Sequence, residues 1–209
     1  MRKPYNFTAP HGRGTMNGET KLSGEEVVIK SPEGAAEYLL MEACGLAPDE
    51  HGVDTPKRFV AMLRELTTPK PFKFTVFDAK GFDQMVIVRN IPFVSVCNHH
   101  VVPFIGKADI GYIPKDLMAG LSKFAHVVKN LARGLQVQER LAEQIADYLE
   151  AALEPRGLAV VLESEHLCMT IRGAQSPGTT TYTAVMRGFF NDHDRTAKAE
   201  FLARVNGNS

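Results

Sequence analysis

Leu121-Ser122-Lys123-Phe124-Ala125-His126-Val127-Val128-Lys129-Asn130-Leu131, followed beyond Gly134 by Val137-Gln138-Glu139-Arg140-Leu141-Ala142-Glu143-Gln144-Ile145-Ala146-Asp147-Tyr148-Leu149, is the stretch that decides the fold class. Phe124, Val127, Val128 and Leu131 recur at a helical period. Past the break at Gly134, Val137, Leu141, Ile145, Tyr148, Leu149 and Ala152 do the same until Pro155 and Gly157 end the second helix. The flanking segments read as strands instead. On the N-terminal side these are Phe72 to Asp78 and Met85 to Arg89 around a Gly81 turn, a continuation through Phe93 to Cys97, and Gly106 to Tyr112 stopped by Pro114. On the other side come strands over about 158 to 172 and 180 to 190. Strand pair, helix pair, strand pair predicts an α+β domain with helices on one side of an antiparallel sheet. Its open edges favour self-association.

Working outward, Ser31-Pro32-Glu33 and Thr55-Pro56 each supply a cap and a first-turn proline. They predict two N-terminal helices within 31 to 68, the second with a stripe of Phe59, Met62, Leu63 and Leu66 and a break at Pro69 and Pro71. Residues 1 to 30 hold Gly12, Gly14, Gly18 and Gly24 among polar residues without a period, and read as a mobile arm before one domain over 31 to 209. A short helix near Lys198 to Val205 closes the chain. Cys44, beside Gly45, reads as a packing residue.

The 209 residues are 44% apolar, enough for one substantial core, and no stretch approaches a membrane span. Basic and acidic side chains number 24 each, so no global field draws the chain to nucleic acid or an anionic membrane. Any polyanionic ligand must be gripped locally. The basic start Met1-Arg2-Lys3-Pro4-Tyr5 lacks an apolar signal segment, and three cysteines are too few for a disulfide scaffold. These features point to a reducing cytoplasm.

Chemistry concentrates in Cys97-Asn98-His99-His100 and His166-Leu167-Cys168. Thiolates with imidazoles suit Zn²⁺, and three ligands leave a fourth position for a reactive water. Strand alternation places His166 and Cys168 on one face with Ser164, Thr170 and Arg172, opposite Val161, Leu167, Met169 and Ile171. A closed structural site formed by Cys97, His100, His166 and Cys168 is the main rival to an open one. The open site is preferred because Lys107, Ser122, Lys123, Glu139 and Arg172 crowd the same segments and suit a charged substrate.

The runs Ser95 to His100, Gly111-Tyr112-Ile113-Pro114, Gly120-Leu121-Ser122-Lys123, Gln136 to Leu141 and His166 to Gly173 resemble GTP cyclohydrolase I of the zinc-dependent folate type, in order and at compatible spacing from about Thr55 to Val205. The resemblance implies the tunnelling fold, with strands of several subunits joined into a barrel, a homodecamer of two pentameric rings, and active sites between subunits. It puts Cys97, His100 and Cys168 at the zinc ligands and His99 and His166 at the catalytic histidines. Gln138 and Glu139 match the guanine-recognition segment, while Ser122, Lys123 and Arg172 match residues around the ribose and triphosphate, with Ser122 also assisting rearrangement. Arg58 matches a further phosphate-contacting arginine. The implied reaction opens the imidazole ring of GTP at C8, releases formate and yields 7,8-dihydroneopterin triphosphate. Three positions depart from the family pattern: Asn98 replaces the usual glutamate, and His126 and Ala61 replace cations near the phosphates. They leave open a paralogue acting on another guanine nucleotide in a specialised pterin or 7-deazapurine pathway, or a noncatalytic zinc-stabilised assembly protein.

Overall fold

The computed structural model describes residues 21–22, 25–26, 30–191 and 195–207. They fall into two compact units, Met1–Val60 and Ala61–Ser209. In the first, β1 (Lys21–Leu22) pairs antiparallel with β2 (Glu25–Glu26). The arm expected over 1 to 30 lies mostly outside the described residues. α1 (Pro32–Cys44) starts as its sequence dictates, with the Ser31 hydroxyl oxygen accepting from the Gly34 N–H at 3.0 Å and proline in the first turn. It ends at Gly45, whose φ of 67° lets the Gly45 and Leu46 N–H groups reach back to the Met41 and Leu40 carbonyls, each at 3.1 Å. α2 (Thr55–Thr67) begins in this unit and runs into the second.

The second unit is built on a five-stranded sheet in the order β7-β4-β5-β8-β9. Its strands are β4 (Val86–Cys97), β5 (Pro103–Ile113), β7 (Leu135–Gln136), β8 (Gly157–His166) and β9 (Thr180–Gly188). All pairings are antiparallel except the two-residue β4/β7 contact. α3 (Leu121–Leu131) and α4 (Gln138–Leu153) cover one face. There Ala108, Ile110 and Tyr112 of β5 and Leu158, Val160 and Leu162 of β8 meet Phe124, Val127, Val128, Leu141, Ile145 and Leu149. This is the α+β layout expected, with an antiparallel sheet and a helix pair on one side.

A smaller cluster occupies the opposite face near one end, where Ile113, Ala159 and Val161 pack on Phe190 and on Phe201 of α6 (Arg195–Val205). Gly111 makes that approach possible, because a β-carbon there would lie 2.6 Å from the Phe201 ring. In β4 a bulge shifts the register between Val88 and Ile91, with Asn90 at φ 55°. The buried Asp109 carboxylate accepts the freed Asn90 N–H at 2.7 Å.

Two local expectations are corrected. Gly81, at φ 80°, does not join β3 to β4 as a hairpin; β3 (Val76–Asp78) pairs instead with β6 (Leu117–Ala119) as a separate two-stranded sheet. The strand expected to reach 172 stops at His166, where Leu167–Thr170 form a single helical turn, α5. Across that turn the Thr170 hydroxyl lies 2.9 Å from the Glu165 carboxylate and 3.3 Å from the His166 carbonyl.

Gly111→Ala is expected to destabilise the protein by about 1–3 kcal/mol through overpacking. The cost should shrink in a Phe201→Ala background, and a double-mutant cycle in urea unfolding measures that coupling.

Candidate metal centre and its surroundings

The site forms at the sheet end where β4 and β8 both terminate. These strands flank β5 and run the same way, and one row joins Ser95, Phe104 and His166 across all three. Cys97 and Cys168 each lie two residues beyond that row. The Cys97 N–H donates to the Val102 carbonyl and its own carbonyl accepts from Val101, both at 2.9 Å, which folds Asn98, His99 and His100 into a tight turn. The Asn98 N–H donates to the Gln136 carbonyl at 2.9 Å and ties the turn to β7. Val101 closes it at φ 54°, a left-handed conformation that a β-branched residue adopts only when its surroundings impose it.

The side-chain ligand atoms of Cys97, His100 and Cys168 all lie within 4.8 Å of one another. Tetrahedral zinc with Zn–S near 2.3 Å separates two sulfurs by roughly 3.8 Å, so the cluster has the dimensions for one ion. Cys97 is buried, Cys168 half-buried and His100 exposed, which opens the cluster on the imidazole side. Burial pushes the Cys168 thiol up, the adjacent Cys97 sulfur pushes it further, and Arg172 pulls the other way. Two thiols crowded in this way favour a cation that stabilises both as thiolates. The donor set, two sulfurs and an imidazole, fits a borderline-soft divalent metal.

His166 stands beside this cluster and outside it. Its ring lies flat on Phe104, centroids 4.6 Å apart at 5°, and its Nε2 is 2.9 Å from the Gln138 Oε1. Burial pulls the imidazole pKa down, while Glu139 opposes that shift. His99 is exposed, with Nδ1 3.8 Å from the Cys97 sulfur and its ring edge-on to His100. Glu139 is exposed in the first turn of α4, whereas the Gln138 side chain is buried and engaged with protein partners. Ser122 and Lys123 occupy the first turn of α3, Ser122 exposed and Lys123 half-buried. Arg172 is exposed just past α5. Arg58 lies in the Met1–Val60 unit, 3.6 Å from Asp54. Lys107 does not join the group; it pairs with Glu163 at 3.0 Å on the sheet face opposite Phe104 and His166.

Sequence reasoning missed Glu165, whose carboxylate accepts from the Gly178 N–H at 3.1 Å and the Thr170 hydroxyl at 2.9 Å. The Gly178 bond first, then the Thr170 bond, hold this carboxyl below its ordinary range. The tether is therefore complete above the usual carboxylate pKa and is lost as pH falls through the lowered one. It fastens the turn carrying Cys168 to the loop that leads into β9. Its only sequence signal was an acid interrupting an apolar strand face.

A GTP cyclohydrolase I family profile matches residues 34–206. Proteins named GTP cyclohydrolase 1 are similar over most of the chain. The one from Aquifex aeolicus is 45% identical over 171 residues, 81% of this chain and 92% of its own. The one from Sulfurihydrogenibium sp. is 42% identical over 182 residues, 86% of this chain and 97% of its own. The one from Halalkalibacterium halodurans is 44% identical over 179 residues, 82% of this chain and 94% of its own.

Purified protein is expected to carry about one divalent ion per chain, the number a single three-ligand cluster holds. Cys97→Ala, His100→Ala and Cys168→Ala should each lose most of it on dialysis, whereas His166→Ala should retain it. Elemental analysis reads the difference, and metal loss in His166→Ala would mean a closed four-ligand site.

Proposed function

The chain belongs to the GTP cyclohydrolase I family, and from that premise we propose a zinc-dependent hydrolase that opens the guanine imidazole ring of GTP at C8, releases formate and forms 7,8-dihydroneopterin triphosphate. The observation carrying this reading is the convergence of Cys97, His100 and Cys168, with His166 beside them and free of the ligand set. Zn²⁺ at a three-ligand site lowers the pKa of a water to about 7 and supplies a nucleophile at neutral pH.

The remaining work falls to the chain itself. Purine C8 is a weak electrophile, and a proton delivered by His166 to N7 makes it a better acceptor; an imidazole, with a reference pKa near 6.5, suits that transfer. His99, exposed next to the Cys97 sulfur, is assigned proton transfer during hydrolysis of the resulting formamide. Ser122 is assigned to the later Amadori-type rearrangement of the opened ribose. Glu139 accepts from guanine N1–H and the exocyclic amine, a donor pair that adenine lacks. In a dry pocket an unpaired partner costs about 1–3 kcal/mol, which gives strong discrimination between the bases. Gln138, its neighbour, supports the guanine segment. Lys123, Arg172 and Arg58 are assigned to the triphosphate, where guanidiniums add two-pronged contacts.

His126 stacks on Phe72 with centroids 5.7 Å apart at 19°. It and Ala61 stand where the resemblance places phosphate-binding cations, which directs the test to nucleotides with fewer phosphates. The assembly we propose is the family's decamer of two pentameric rings with active sites between subunits. Support comes from β9, which among the described residues is an edge strand with one unpaired row of backbone groups. Among the described residues no helix is long and apolar enough to cross a membrane. The unpaired thiols of Cys97 and Cys168 suit the reducing cytoplasm in which we place the protein.

Metal-loaded protein incubated with GTP, GDP and GMP should release formate and a fluorescent oxidised pterin, fastest from GTP. His166→Ala should lower turnover by roughly 10²–10⁴-fold, the usual contribution of a general acid. Cys168→Ala should abolish activity together with metal. A zinc-loaded protein without formate release from any of the three nucleotides would favour the assembly role.

A further inference from the structure

Gln138 is the first residue of α4 and is only 1% exposed, although its side chain carries two polar atoms, an amide oxygen and an amide nitrogen, that need partners. The amide nitrogen lies 3.2 Å from the Leu162 carbonyl, 3.0 Å from the Thr181 carbonyl and 3.0 Å from the Thr183 hydroxyl. The amide oxygen lies 2.5 Å from the Ser164 hydroxyl and 2.9 Å from His166 Nε2. Chemistry alone fixes this orientation. Backbone carbonyls only accept, so the nitrogen must face Leu162 and Thr181; turning the amide over would set oxygen against two oxygens in a buried place.

With the oxygen so placed, the state of His166 follows. A glutamine oxygen has no hydrogen to give, so its contact with Nε2 requires the proton to reside on that ring nitrogen. Stacking on the fully buried Phe104 at 4.6 Å and 5° fixes the plane of the ring, and the Gln138 contact fixes which edge faces α4. A carboxylate could orient the ring as well, but it would add a negative charge behind it and could not donate to the two carbonyls.

We infer that Gln138 is a positioning residue that holds the His166 ring as the Nε2-protonated tautomer and leaves Nδ1 as the ring nitrogen that Gln138 does not engage. This rests on the proposed reading of His166 as proton donor. Both polar atoms of the Gln138 amide already have protein partners.

Two measurements on the zinc-loaded, full-length protein test this. Solid-state ¹⁵N spectra of histidine-labelled protein, with the His166 signals assigned by difference from His166→Gln, should show the neutral ring protonated at Nε2 and bare at Nδ1. In Gln138→Ala and Gln138→Glu, kcat for formate release should fall roughly tenfold to a hundredfold at unchanged zinc content. KM for GTP should stay within about threefold, because no substrate contact is removed. A neutral His166 protonated at Nδ1 overturns the inference, and so does a Gln138 variant that raises KM while kcat is kept. If the variants fail to fold, the wild-type spectrum decides. If wild-type protein releases no formate, the enzymatic reading fails on its own, and the tautomer still reports whether Gln138 sets the ring.

Discussion

Cross-strand register between β4, β5 and β8 is the constraint on which the site depends. It puts Ser95, Phe104 and His166 in one row and brings the ends of two like-directed strands to the same edge, so two sulfurs 71 positions apart can meet. A slip of one residue would turn His166 to the opposite face, where Lys107 and Glu163 stand. The same slip would drag Val160 and Leu162 out of the helix-covered core. Burying each such side chain is worth about 1.5–3 kcal/mol, whereas a single hydrogen bond nets about 0.5–1.5 kcal/mol. Apolar burial in the body of the sheet thus outweighs the ladder bonds in deciding where the polar end falls.

Along β8 the helix-covered face passes from Leu158, Val160 and Leu162 to Ser164 and then His166. Such a run is tolerated because Gln138 meets both polar residues from the start of α4, where Leu141 and Ile145 continue the apolar packing. The interior changes character within one helical turn. Every hydrogen bond in that patch also restrains His166, so interior satisfaction and placement of the reactive ring are the same set of contacts.

Much of this was legible in the residues. The helical periods of Phe124 to Leu131 and Val137 to Leu149 gave α3 and α4, and strand alternation put Ser164 and His166 on one face. Alternation misled at Cys168, because the strand ends at His166 and the four-residue helical turn that follows is too short to show a period. The β3/β6 pairing escaped for a related reason: two three-residue strands joined across about forty positions leave too short a pattern to read. Motif matching singled out Gln138 but not its burial, since an amide facing substrate and one facing a histidine look alike in a sequence.

Val101 carries a different implication. A left-handed valine raises the energy of the folded chain by about 1–2 kcal/mol, and the hydrogen bonds of the Cys97 turn sustain it. The turn that carries two of the three candidate ligands is therefore shaped by backbone hydrogen bonds of its own, and Val101, which offers no ligand atom, bears part of the strain which that shape costs.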